Sequence, residues 1–400
     1  MRVFFAFIFI LIFASGCKSE IINKNNTDSD SLLVVDIDIV DDNYELFNDD
    51  EDAKIDDIQD EKQDEYFDEQ FEEDISESID ERDEENTDLD ADILPESTGR
   101  TICTGQISCY NNTEEIPCPL SGENFSGQDA QYIEKCIPRS YAVSISEGDE
   151  IITDNNTGLM WQRTIPETYA GCAFGDPVGS MCSWQEAINY CNDLDYGGYD
   201  DWRLPSRIEL ESITDYGKSN PSIDTDLFID TPVKWILTTT SFVMDSKRKW
   251  SVNQGVGTVG TRNQTDETYV RCVRGNAIYL SNFVEFAVEY KIIVKDLKTN
   301  FEWAKEAVSG GTWETVLNYC DNLEYAGYSD WRIPNVNELS TLFYDRAYQP
   351  ASNFPGIYSE YYWTASTAVS ANSSAWRINM FAGGVDLGMK SEKHFAMCVR

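Results

Sequence analysis

One block of residues occurs twice in this chain, and that limits its fold more than any other feature. Gly198 to Pro205 reads GYDDWRLP and Gly327 to Pro334 reads GYSDWRIP, at an offset of 129. The same offset relates Ser183 to Cys191 (SWQEAINYC) with Thr312 to Cys320 (TWETVLNYC), Leu194 with Leu323, and Glu209 and Leu210 with Glu338 and Leu339. Upstream, Trp161 follows Asp154 and Thr157 as Trp303 follows Asp296 and Thr299, at offset 142. Downstream, Trp250 to Asn253 matches Trp376 to Asn379, and Arg271 to Arg274 matches Met397 to Arg400, both at offset 126. Self-similarity of this extent means one structural unit used twice. The spacing predicts two copies of one domain, 141–276 and 277–400.

The repeat also orders the cysteines. Cys191 and Cys272 recur as Cys320 and Cys398, so each copy is expected to carry one bond, Cys191–Cys272 and Cys320–Cys398. Each would close a loop of about 80 residues, worth about 4.5 kcal/mol on the chain-entropy account. Cys172 and Cys182 lie in a segment that copy two lacks, and they most simply pair with each other. Cys103, Cys109, Cys118 and Cys136 remain for a small Cys-rich module at 98–140, with three connectivities open. A zinc site competes weakly, because His394 is the sole histidine and no Cys-x-x-Cys occurs.

An even cysteine set indicates an oxidising compartment, and the start of the chain agrees. A short positive start at Arg2, an apolar run from Val3 to Phe13 and small residues before Cys17 have the layout of a secretory signal peptide. The run is too short to span a bilayer, which needs about 20 apolar residues. The segment resembles a bacterial lipobox, with Ala14 where Leu is commoner. The resemblance implies a signal peptide at 1–16, acylation of Cys17, and anchoring in the outer membrane or at the cell surface. Two or three acyl chains hold a protein stably where one does not.

Charge separates the rest of the chain into a stalk and a body. Of a net charge of −42, the stretch from Glu20 to Ser97 contributes 33 acidic residues against four basic ones. Such a segment buries too little apolar surface to offset its ordering entropy, so 17–97 is expected to be a disordered acidic linker. Calcium is the cofactor such a run invites, but its spacing matches no EF-hand loop, and no cofactor is expected. The acidity disfavours nucleic acid as a partner. The sequence leaves oligomeric state and the orientation of the two domains open.

Within each copy the local signals alternate. Ser183 with Glu186, Ser206 with Glu209, and Asn335 with Glu338 form capping boxes that open helices. Trp184, Ala187, Ile188, Cys191 and Leu194 fall on one helical face, and Gly197 and Gly198 are expected to end that helix. Stretches such as 249–259 and 375–387 read as strands. The mixture predicts an α+β fold.

Thr157 to Gln162, Trp184 to Cys191 and Gly198 to Pro205 with Glu209 and Leu210 closely resemble the Lcl C-terminal domain-like family, named for the C-terminal domain of Legionella collagen-like adhesins. The second copy matches through Trp303, Tyr319 and Cys320, Gly327 to Pro334, and Tyr362 to Thr364. The resemblance covers roughly 150–400. It implies two tandem C-type lectin-like domains and a role in surface recognition or adhesion. The tripeptides with which carbohydrate-binding C-type lectins hold calcium and sugar are absent.

Catalysis finds little support. Every cysteine of the body has a structural partner in this scheme, so no thiolate nucleophile is expected. A triad would have to use His394, which replaces Thr268 of copy one. Asp200 with Asp201, and Asp224 with Asp226, are the carboxylate pairs that acid–base work would need. Asp201 and Asp330 flank Trp-Arg in both copies, which suits a scaffold better than an active site. A ligand would meet the long loop of copy two, 344–362, through Tyr344, Tyr348, Tyr358 and Tyr361, with Phe354 and Tyr362 nearby. The reading is a non-enzymatic lipoprotein that recognises an extracellular glycan or protein. The alternative is a structural or envelope-assembly lipoprotein, and an enzyme related to the formylglycine-generating fold is a distant third.

Overall fold

The computed structural model describes residues 100–276, 281–306 and 308–400. The expected signal peptide at 1–16, the expected acylation site Cys17 and the expected acidic linker at 17–97 lie outside the described residues. An N-terminal module contributes two short strands, β1 (Cys109–Tyr110) and β2 (Glu115–Ile116), and a 3-10 stretch, Asp129–Lys135. Copy one runs β3 (Tyr141–Ser146), β4 (Asp149–Asp154), β5 (Met160–Gln162), α1 (Trp184–Asn192), α2 (Arg207–Ser212), β6 (Trp235–Phe242), β7 (Asp245–Asn253), β8 (Val259–Asn263) and β9 (Val273–Arg274). Copy two runs β10 (Phe283–Val288), β11 (Lys291–Asp296), β12 (Glu302–Ala304), β13 (Val308–Gly311), α3 (Trp313–Asp321), α4 (Val336–Ser340), β14 (Tyr361–Thr367), β15 (Ser374–Asn379), β16 (Gly384–Met389) and β17 (His394–Ala396). The fold is α+β and mostly sheet.

The helices start at the capping boxes. Glu186 accepts from the Ser183 N–H at 2.8 Å. Ser206 and Glu209 cap each other's backbone, as do Asn335 and Glu338. The end of α1 differs from the sequence expectation. It stops at Asn192, and Gly197 and Gly198 form a separate left-handed turn bridging Tyr196 and Tyr199. Leu194 therefore packs on the core from beyond the helix.

Five disulfides hold the described residues. The structure joins Cys191 to Cys272 and Cys320 to Cys398, linking the first helix of each copy to its last segment. Cys172 joins Cys182, and the four N-terminal cysteines pair as Cys103–Cys136 and Cys109–Cys118.

Two small sheets, β3-β4-β5-β9 and β10-β11-β12, open the copies, but the main sheets are not separate. They fuse into one eight-stranded sheet, β13-β17-β14-β15-β16-β8-β7-β6. The junction is the antiparallel pair Val385 and Val259, which are equivalent at offset 126. Equivalent residues meeting antiparallel mark a two-fold relation between the copies. Gly257 and Gly383 repeat it. Both have positive φ, and a Cβ would lie 3.4 Å from Trp376 at Gly257 and 3.3 Å from Trp250 at Gly383.

Unequal residues lock this seam. Arg207, 2 % exposed, reaches Asp345 at 3.0 Å and Glu211 at 3.4 Å, and donates to the Gly383 carbonyl at 2.7 Å. Its guanidinium lies 4.2 Å from the Phe343 ring centre and 4.9 Å from that of Trp250. Tyr216 of copy one meets Trp376 of copy two edge to face at 4.8 Å. One apolar core accordingly runs through the seam, and a second fills copy two around Trp313, Trp331 and Trp363.

The N-terminal module packs against both copies. Buried Asp129 accepts from Thr104 at 2.8 Å and from Ser366 of copy two at 2.5 Å. Gln106 donates to the Tyr216 carbonyl of copy one and to the Thr367 carbonyl of copy two. Asp321, at the end of α3, accepts from Ser121, Gly122 and Ser126.

Candidate functional site

The most repeated residues turn out to be scaffold. Arg203 makes a two-pronged pair with Glu209 at 2.8 and 2.7 Å, and Arg332 with Glu338 at 2.5 and 2.7 Å. These glutamates are also the capping residues of α2 and α4, so one carboxylate fixes both loop and helix. Burial raises the Glu209 carboxyl, but Arg203 and the Ser206 N–H overcome it and hold the group below the usual range. Asp201 and Asp330 take the guanidinium groups of Arg274 and Arg400, tying the end of each copy to the motif. The Trp202 and Trp331 indoles donate to the Tyr196 and Tyr325 carbonyls at 3.0 and 3.1 Å. These groups are occupied in holding the loop.

The other carboxylates considered for chemistry are not brought together. Asp200 and Asp226 are exposed. Asp224 lines a small cavity of about 170 Å³ with Arg139, Tyr141, Ile213, Asp215, Leu227 and Phe228. Lys218 reaches both Asp224 and Asp215, at 3.3 and 3.9 Å. Arg139 is held by the Ser212 and Thr214 carbonyls.

The aromatic loop of copy two divides. Phe354 and Tyr362 are buried and belong to the core, so they cannot meet a ligand. Tyr344 and Tyr348 are half-buried, and Tyr348 packs edge to face on Phe381 at 4.9 Å. Tyr358 is 57 % exposed and leans on Phe395. Tyr361 opens β14 and is half-buried, with the Arg377 guanidinium 4.3 Å from its ring centre.

Arg377 organises a polar cluster around that ring. It donates to Asp386 at 2.6 Å and to Glu392 at 2.6 Å, and its Nη1 lies 2.9 Å from His394 Nε2. His394 also meets Glu392 at 2.9 Å and packs against Trp363 at 4.8 Å and Tyr361 at 5.5 Å. Burial, with help from Arg377, holds His394 below the usual histidine range. Asn379 donates to the Tyr361 hydroxyl at 3.2 Å. Asp386 and Glu392 keep about two-fifths of their side chains exposed. The result is a half-open patch with an aromatic ring, a planar cation and two carboxylates, a set suited to recognition by stacking and hydrogen bonding.

Of this cluster the sequence singles out Tyr361 and His394 but not Arg377, Asp386 or Glu392. A usable signal was divergence between the copies. Arg377 and Asp386 stand where copy one has Ser251 and Gly260. Copy one builds a related pair from another strand. Trp235, equivalent to Tyr361, carries the guanidinium of Arg262 at 4.3 Å.

Among known proteins, a family model, the Lcl C-terminal domain, matches residues 150–274 and again 292–400. No curated protein matches the chain.

Proposed function

Since the chain belongs to the Lcl C-terminal domain family, with two tandem copies of that domain, we propose that it is a non-catalytic recognition protein displayed at a cell surface. The Tyr361–Arg377 cluster carries this reading, because it offers a half-exposed ring, a cation and two carboxylates on one patch. Both carboxylates are engaged by Arg377, which suits binding better than proton transfer. The order of helices before sheet, with a long disulfide between them, supports a C-type lectin-like fold for each copy. The layout of residues 1–17 supports export and lipid anchoring through Cys17, and the composition of 17–97 supports an acidic spacer.

One observation favours the alternative, a structural envelope lipoprotein. Phe354 and Tyr362, two of the six loop aromatics, serve the core. A glycan and extracellular-matrix array probed with the full chain in detergent, with calcium and with chelator, separates the readings. Saturable binding that weakens in Tyr361→Ala and Arg377→Ala supports recognition. Absence of binding under both conditions refutes it.

A further inference from the structure

The register of the fused sheet places the two aromatic–guanidinium pairs on one face. Side chains directly across an antiparallel pair point the same way. Trp235 opposes Asn253 on β7, and continuing the register of β7 with β8 puts Thr258 beside Asn253. The Val385–Val259 junction then carries the row to Asp386, which opposes Arg377, which opposes Trp363. The neighbouring row on the same face runs from Tyr361 through Asn379, Gly384, Gly260 and Ser251 to Leu237. The two rows exchange under the offset of 126, so Trp235 and Tyr361 occupy two-fold related ends of one surface.

That surface has consistent chemistry. Five strand-to-strand steps of about 4.8 Å separate β6 from β14, so the backbones that carry Trp235 and Tyr361 lie about 24 Å apart across the strands. The Trp235 ring reaches across β7, and a Cβ at Gly260 would come within 3.2 Å of it. Of the two rows, Asn253, Thr258, Asn379, Gly384 and Asp386 are partly exposed, whereas Ser251, Leu237 and Trp363 are covered. This floor is polar or lacks side chains, while aromatic surface sits at the ends. The strands from β14 to β7 are paired on both sides, and Tyr269 bonds to Trp235 and Leu237 on the outer edge of β6, so a peptide finds no open edge beside either ring. The body carries an excess of 15 negative charges, and Arg377 is neutralised by two carboxylates.

We propose that this face is a two-platform binding surface for a linear, uncharged polysaccharide, with Trp235 and Arg262 holding one end and Tyr361 and Arg377 the other. This deepens the recognition reading and rests on it. Sugar rings stack their C–H faces on the aromatic–guanidinium plates, and hydroxyls bond the Asn253, Asn379 and Asp386 side chains between them. The ends are chemically unequal, Trp against Tyr and Gly260 against Asp386, which gives the bound chain a direction.

The test uses the full chain in detergent and titration calorimetry with linear β-1,4-glucan and β-1,4-mannan oligosaccharides from two to eight units. Affinity should rise about tenfold or more once a chain spans both plates, as expected for linked sites. Trp235→Ala and Tyr361→Ala should each erase that rise and leave short-chain binding by the other plate, with unchanged melting temperatures excluding misfolding. Affinity independent of length, or unaffected by Trp235→Ala, overturns the two-platform proposal. So does tighter binding of hyaluronan than of neutral chains. If the array gives a ligand lost in Tyr361→Ala but no neutral oligosaccharide binds, this proposal fails and the recognition reading stands. If the array gives nothing, both fail.

Discussion

Val259 and Val385 are the same residue of two copies, and they face each other across the strand pair that makes the two sheets one. The seam therefore does more than connect. It sets the faces of both copies in fixed relation and extends a single core across them.

Arg207 should be the most sensitive residue of that seam. It is buried between two rings and two carboxylates, so Arg207→Ala leaves charges unpaired and a cavity. The expected loss is about 3 kcal/mol in urea unfolding. Arg163→Ala, which breaks the more exposed pair with Glu150, should cost under about 1 kcal/mol.

The disulfides should rank by loop length. Replacing Cys320 and Cys398 by Ser should cost about 4.5 kcal/mol, and replacing Cys172 and Cys182 about 3 kcal/mol. The sequence separations are 78 and 10 residues. Thermal melts of the two double variants check the order.

Two buried carboxyls should contribute stability in mild acid. Burial pushes the Asp129 carboxyl up to about 6, its two hydroxyl partners notwithstanding. Burial likewise pushes Glu211 to about 7, although Arg207 pulls it down. Each folded value lies above its unfolded one, so each stabilising contribution is complete below about pH 4 and is lost as pH rises through 6 to 7. Glu209, held low, has the opposite sign and weakens the fold in stronger acid. Lys390, lowered by burial to about 7, and His394, also held low by burial, have the opposite sign and add stability as pH rises. The carboxyl contribution is therefore read as a difference: between pH 5 and pH 7 the melting temperature of the parent should fall relative to that of the Asp129→Asn, Glu211→Gln variant.

Tyr290 carries strain without packing. It is fully exposed at the tip of the β10–β11 hairpin with φ 66°, where copy one has Gly148. Tyr290→Gly should raise stability by about 1 kcal/mol, since a left-handed backbone costs a side chain that much. Urea unfolding measures it.

Much of the scaffold is legible in the sequence because duplication aligns it. Trp202, Arg203 and Glu209 recur at a constant offset with their roles, and the long disulfides follow from cysteines that recur with them. The seam is not legible, because its key contact joins unequal residues. Arg207 aligns with Val336 and Tyr216 with Asp345, so the repeat carries no hint that they meet the other copy. The site was half visible for a related reason. Tyr361 stands out in an aromatic-rich loop, whereas Arg377 comes from a strand whose alternation reads only as sheet. The expected end of α1 at Gly197 failed because the chain left the helix at Asn192 and used the glycines for a tighter turn.

The most direct test of the central claim is binding by the full chain and its Arg377→Ala variant on the glycan and extracellular-matrix array. The account predicts saturable binding to a surface ligand that Arg377→Ala weakens about tenfold or more, with the variant still folded at the assay temperature by circular dichroism. Equal binding by the two chains, or no binding by either, would contradict it.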